Sequence, residues 1–165
     1  MWVRDYLRER QVHFQTLLHN PASSATRLAH CLHVSGRNVA KGVLLRSEGG
    51  YVLAVLPATH RIDLKLLAES LRFATLELAA EEEIERVFHD CQPGALPLFG
   101  HLYGLRTIVD PTLAQSHRIV MEGNTRHEGI RMRYRDYEAI EAPAFASFAV
   151  PIASAELPTA ERRAN

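Results

Sequence analysis

The chain has few cysteines, no excess charge of either sign and no long apolar run, and each shortage narrows what it can be. Cys31 and Cys91 are its only cysteines. They stand far apart, without a C-x-x-C pair or a second cluster to complete a zinc site, so reduced structural thiols are expected. Nineteen Lys and Arg offset nineteen Asp and Glu, so the whole-molecule field offers no general attraction to nucleic acid; any contact with a polyanion has to be local. No apolar run approaches the roughly 20 residues of a membrane span. The opening Met1-Trp2-Val3-Arg4-Asp5-Tyr6 turns charged too early for a signal-peptide apolar region, which leaves the cytoplasm as the expected location.

What the chain does have is apolar content: 47% hydrophobic residues over 165 positions suffice for one sizeable core and one domain. Nine histidines add positive charge on mild acidification, because the unperturbed value of about 6.5 lies just below neutrality.

Val3, Tyr6 and Leu7 recur at helical spacing within residues 3 to 11, and 12 to 15 alternate as a short strand. Ser23 or Ser24 caps a helix carrying Ala25, Leu28, Ala29 and Leu32 on one face. Residues 39 to 46 and 51 to 56 are β-rich runs around Ser47-Glu48-Gly49-Gly50, which predicts a hairpin. Asp63 caps a helix with Leu64, Leu67, Ala68 and Leu71 on its apolar face, and a second helix is expected over 80 to 88. Residues 93 to 100 contain two prolines and two glycines, so they are expected to form an ordered loop. Strands follow at 106 to 109, 118 to 122 and 128 to 132, then a helix near 135 to 140. From residue 144 the chain carries Pro151, Pro158 and many alanines without a clear stop, and is expected to be a partly disordered tail.

Several of these segments together resemble a known family. They are Val39-Ala40-Lys41 opening a strand, Gly50-Tyr51-Val52-Leu53-Ala54-Val55-Leu56-Pro57-Ala58, Asp63-Leu64-Lys65, Ala74-Thr75, the run from Asp90 to Gly100, and Tyr103-Gly104-Leu105. The P-G-A-x-P-x-F-G loop is the most specific piece, and the likeness runs in order from about residue 12 to 142. The chain is thus similar to the YbaK / prolyl-tRNA synthetase-associated editing domain. That resemblance implies an α+β fold, with a mixed barrel-like sheet and surrounding helices over residues 1–143, and leaves 144–165 as the tail. It implies an aminoacyl-tRNA deacylase acting in trans, with no cofactor. The substrate would be a small amino acid such as Ala, Ser or Cys mischarged on tRNA, tRNA-Pro foremost, and a cognate synthetase is a possible partner. The lysine matching Lys41 becomes the catalytic residue, and the glycine-rich loop with Gly94, Pro97 and Gly100 shapes the pocket. Two positions depart from the family pattern: Gly42 stands where relatives often carry Thr, Ser or Asn, and the late loop Glu122-Gly123-Asn124-Thr125-Arg126-His127 fits only approximately.

The residues themselves leave alternatives. Lys41 falls on the same strand face as Val39, Val43 and Leu45, where unpaired burial is costly, so it either lines a cleft or snorkels to water from a strand end. The loop either presents N–H groups to a carbonyl oxygen or serves as a rigid connector. Asn124 and Thr125 either bond their own backbone or orient water and substrate, with His127 beside them, while Asp110 before Pro111 reads first as a strand-end turn. No G-x-S-x-G elbow is present, and Cys31 falls within a helix, so direct or substrate-assisted hydrolysis fits better than a protein nucleophile. Basic residues gather at Arg4, Arg8 and Arg10 and at Arg126, Arg131, Arg133 and Arg135, either as phosphate contacts or as solvated faces. A binding module without turnover, or an interaction protein docking through its apolar tail, are the competing functions.

Overall fold

Helical and period-two patterns alternate along the chain, and they govern the elements of the computed structural model, which describes residues 1–153. Val3, Tyr6 and Leu7 are buried along helix α1 (Val3–Glu9). Strand β1 (Phe14–Leu18) starts later than residue 12, because the Val12 N–H bonds back to the Leu7 carbonyl at 3.0 Å and so closes the helix. Ser24 caps α2 (Ala25–Cys31), its hydroxyl accepting from the Arg27 N–H at 3.2 Å. The expected hairpin is formed by β2 (Ala40–Ser47) and β3 (Gly50–Pro57), paired from Ala40 opposite Pro57 to Ser47 opposite Gly50. Gly50 turns it at φ 116, a conformation that favours glycine. After β4 (His60–Ile62), Asp63 caps α3 (Leu64–Leu71) by accepting from the Leu66 N–H at 3.1 Å. The remaining α-helices and strands are β5 (Leu76–Leu78), α4 (Glu81–Val87), β6 (Arg106–Val109), β7 (Arg118–Glu122), β8 (Glu128–Arg133), α5 (Tyr134–Glu141), β9 (Ala144–Phe145) and β10 (Ala149–Pro151).

The strands form a mixed five-stranded sheet in the order β5-β2-β3-β6-β9, a three-stranded antiparallel sheet β1-β8-β7 and the pair β10-β4. A parallel bridge between Val39 and Val120 ties the start of β2 to β7 and joins the two larger sheets. Strand β3, parallel to β6 on one side, is apolar and buried from Val52 to Pro57, as a strand covered on both faces requires. On one face Leu44, Leu53 and Val55 pack with α1, α5 and the inward residues Ile119, Met121, Ile130 and Met132 of the smaller sheet. On the other, Leu45, Ala54 and Leu56 pack with Leu67 of α3 and with Phe148. A third cluster places Leu28 and Ala29 of α2 over Val39, Ala58 and Val120, on the outer face of the smaller sheet.

Residues 144 to 153, expected to begin a tail, belong to the fold. β9 pairs in parallel with β6, β10 pairs antiparallel with β4, and Phe148 between them is fully buried. Strands this short carry no readable alternation. The rest of the expected tail, 154 to 165, lies outside the described residues. No helix among the described residues is long and apolar enough to cross a membrane.

Asp110 fastens this segment. Its Oδ1 accepts from the Thr112 N–H and hydroxyl at 2.9 and 2.7 Å, and its Oδ2 accepts from the Phe148 and Ala149 N–H groups, both at 2.7 Å. Burial works to raise this carboxyl, yet the Thr112 hydroxyl and the three N–H donors outweigh it and hold it below the ordinary aspartate value. Asp110→Ala strands buried donors and is expected to lower unfolding free energy by about 3 kcal/mol, measured by urea titration. With the folded value below the unfolded one near 3.9, the carboxylate's contribution is complete above about pH 4. It is lost as pH falls through the folded value, so Asp110→Asn is expected to flatten that acid limb.

Candidate active site

Five segments converge on one cleft of about 540 Å³. Ala40, Lys41 and Gly42 at the start of β2 line it, with Gly94, Ala95 and Leu96 from the loop after α4. Ser23, Ser24, Ala25 and Leu28 come from the start of α2, Ala79, Glu81, Ile84 and Glu85 from the start of α4, and Glu122 from the end of β7. Most of these walls are apolar, which gives the few charged groups their leverage. The position of Glu122 follows from period-two geometry: Ile119 and Met121 face the main core, so Val120 and Glu122 turn to the outer face, where α2 lies.

Lys41 is half-buried, and burial lowers its ammonium below the ordinary lysine value with no carboxylate among the described residues near enough to offset the shift. Its field reaches His60 in β4, which burial lowers, the Asp110 carboxylate raises, and Arg37 and Lys41 lower further. Glu122 is displaced in the complementary sense: burial pushes its carboxyl up to about 7, opposed by the Leu96 N–H and by the Arg126 guanidinium. The Leu96 N–H donates to Glu122 Oε2 at 3.4 Å, holding the loop against β7. Lys41 and Glu122 thus line one cleft without neutralising each other. An acid near neutrality and a desolvated ammonium are suited to proton transfer and to binding an anion or a developing oxyanion.

Gly42 has a local packing reason. A Cβ there would overlap Leu96 Cδ2 and come within 2.8 Å of Leu98 Cδ2, so the space a polar side chain would fill is taken by the loop's leucines. Gly94 adopts φ 85, and a Cβ on it would lie 3.5 Å from the Arg126 side chain. The Ala95 N–H donates to the Gln92 carbonyl at 2.9 Å and the Leu96 N–H to Glu122, so these two donors of the loop are already engaged.

Of the residues singled out from the sequence, Lys41 and Gly94 line the cleft, while the others fall elsewhere. Pro97 and Gly100 are buried in the loop, and a Cβ on Gly100 would overlap Thr107 Oγ1. Asn124 is buried with its amide fully engaged: Oδ1 accepts from the Val3 N–H at 2.8 Å, and Nδ2 donates to Cys91 Sγ and Tyr103 OH, both at 3.3 Å. Thr125 accepts from the Glu128 N–H through its carbonyl, and exposed His127 accepts from the His19 N–H at 3.0 Å in the same way. Burial pushes the Cys91 thiol up to about 11, which keeps it neutral and a poor nucleophile. Glu122 itself emerges only from the fold, because its sequence context is an ordinary strand end.

A family model for the aminoacyl-tRNA editing domain matches residues 19–140. Among solved structures, a candidate trans-editing enzyme for prolyl tRNA synthetase superposes with a TM-score of 0.79 at 19% identity, over 90% of this chain and 94% of its own. The hypothetical protein APE2540 superposes at 0.81 with 17% identity, over 90% and 99%. A candidate signal transduction protein from Marinobacter aquaeolei VT8 reaches 0.66 at 22% identity, over 84% of this chain and 28% of that longer one. No curated protein matches the chain. The structural likenesses establish the fold, and the family match spans most of the sequence: the chain belongs to the aminoacyl-tRNA editing domain family.

Proposed function

We propose that the chain is an aminoacyl-tRNA deacylase acting in trans, hydrolysing the ester between a wrongly attached small amino acid and the 3′ end of its tRNA. The observation that carries this reading is the pairing of Lys41 and Glu122 in one largely apolar cleft, each shifted by burial and neither compensating the other. The end of an aminoacyl-tRNA suits both: its phosphate, and the oxyanion that forms as the ester is attacked, give the ammonium an anionic partner, and its carbonyl is the target for a solvent water deprotonated by the carboxylate.

In the reaction, Lys41 binds the terminal phosphate or the ester oxygens and orients the carbonyl, while Glu122 takes a proton from the attacking water. The carbonyl carbon gains a bond to the water oxygen. Its bond to the ribose oxygen then breaks, and the ribose hydroxyl recovers the proton, releasing free amino acid and tRNA. Leu28, Ala79, Ile84 and Leu96 offer an apolar wall to the amino-acid side chain, and Gly42 adds no polar group. Alanine is accordingly the preferred side chain among Ala, Ser and Cys, with tRNA-Pro the first carrier to test. Discrimination against serine is expected to be modest, about 100-fold at most, since an apolar pocket rejects an added hydroxyl weakly. A synthetase that makes the corresponding error is the expected partner.

Two experiments bear on this reading. In a panel of Ala, Ser and Cys on tRNA-Pro, Lys41→Ala is expected to keep its circular dichroism spectrum and lose roughly 10²–10³-fold in kcat/KM. Undiminished release by the folded variant contradicts the assignment. After subtraction of spontaneous ester hydrolysis, kcat/KM is expected to rise with pH to a midpoint near 7, as Glu122 ionises into its active basic form. It is expected to fall again below the ordinary lysine value, as Lys41 deprotonates. Glu122→Gln is expected to remove the rising limb with a loss of roughly 10²–10⁴-fold, whereas an unchanged limb contradicts the role given to Glu122.

A further inference from the structure

We propose that a second cleft, on the outer face of β1, β8 and β7, seats phosphodiesters of the tRNA acceptor arm while its 3′ end occupies the cleft with Lys41. This rests on the deacylase reading and adds a binding site to it. The second cleft measures about 210 Å³ and is walled by His13, Gln15, Arg118, Arg131 and Arg133.

Strand register explains how three arginines come together. Arg118 lies directly opposite Arg133, and Arg131 lies between Gln15 on β1 and Val120 on β7, so all project from one face. Like charges directly opposite on adjacent strands destabilise a sheet unless an anion intervenes. Asp136 meets part of that need, with its Oδ2 at 2.7 Å from Arg133 Nε. Arg118 and Arg131 form no ion pair among the described residues. The N-terminal basic group differs: Arg4 pairs with Glu128 at 3.3 Å and Arg8 with Asp5 at 3.1 Å, which leaves Arg10, stacked over the Tyr6 ring, as its one member without an ion pair among the described residues. Arg135 leaves the strand for α5 and lies 3.7 Å from Asp136. In a chain with no net charge, three clustered arginines of which Asp136 pairs one make a local anion seat, and planar guanidinium groups suit phosphate oxygens.

Its placement identifies the ligand. Arg118 and Glu122 stand at the two ends of β7 on the same face, four residues and roughly 13 Å apart at about 3.3 Å per residue. Cluster residues of α2 cover Val120 between them. A polyanion whose end is held at Glu122 has Arg118, Arg131 and Arg133 within reach of its backbone where that backbone passes over or beside α2. That separation corresponds to roughly four stacked nucleotides at about 3.4 Å each, comparable with the unpaired 3′ end of a tRNA. A free phosphate or a lipid headgroup has no reason to be placed at this distance from the first cleft.

The test uses the full chain as wild type, Arg118→Gln/Arg131→Gln and Arg118→Lys/Arg131→Lys. Three readouts are taken: binding of uncharged tRNA across a salt series, hydrolysis of intact aminoacyl-tRNA, and hydrolysis of aminoacyl-adenosine as a minimal ester. The Gln variant is expected to bind tRNA at least 10-fold more weakly, with a salt slope shallower by about 2, and to hydrolyse the minimal ester as wild type does. The Lys variant is expected to recover most of the affinity. Unchanged tRNA affinity and slope in the Gln variant overturn the proposal, as does equal loss on the minimal ester. If the wild type hydrolyses the minimal ester but does not bind tRNA, the second seat fails and the deacylase reading stands. If the wild type hydrolyses neither ester, that reading fails, while tRNA binding lost in the Gln variant still upholds the seat. Loss of binding to phosphatidylserine vesicles with tRNA affinity intact reassigns the face to lipid and overturns the proposal.

Discussion

Burial of two ionisable groups in one cleft, without mutual compensation, is the constraint on which the functional account turns. Desolvation favours the neutral form of each, lowering Lys41 and pushing Glu122 up to about 7. Such groups cost folding free energy unless something offsets the loss of water. Here the offsets are small: a 3.4 Å hydrogen bond from the Leu96 N–H and the field of Arg126 for Glu122, and the cleft opening for Lys41. Perturbed titrating groups gather at functional sites, since a group whose pKa lies near the working pH gives and takes protons at little cost in free energy.

The fold supplies that environment by dividing the two faces of the smaller sheet. Inward residues Ile119, Met121, Ile130 and Met132 join the main core, which fixes the register of β7 and β8. A slip of one residue would carry Glu122 and the arginines into that core. With the register held, the outer face carries Arg118, Arg131 and Arg133 toward one end, Val120 beneath α2 in the middle, and Glu122 at the other end beside the start of β2. The bridge from Val39 to Val120 then brings Lys41, two residues along, to the same cleft.

Much of this was legible in the sequence, where local rules and tertiary packing agree. Ser24 and Asp63 cap helices through the hydrogen bonds their types predict. The β2–β3 hairpin, β6 and β7 occupy the expected runs, and the family loop stands where its prolines and glycines put it. Lys41 was legible as a charge on a buried strand face. The rest depends on contacts between distant segments. β9 and β10 are two and three residues long and exist through pairing with β6 and β4 and through Asp110, which no periodicity reveals. Asn124 follows a glycine in a polar loop, a context shared by turn and site residues, and only the docked N-terminal helix shows that its side chain is engaged. Glu122 is separated from Lys41 by most of the sheet's connectivity, so nothing local distinguishes it from a solvated strand end.

Glu122 is desolvated by the cleft and not held ionised by a partner, and the chemistry follows from that. The most direct measurement is a carbon-13 NMR titration of the Glu122 side-chain carboxyl in the free protein, with the resonance assigned by its loss in Glu122→Gln. A midpoint near 7 agrees with the account. A midpoint at the ordinary glutamate value of about 4.3 shows a solvated carboxylate and contradicts it.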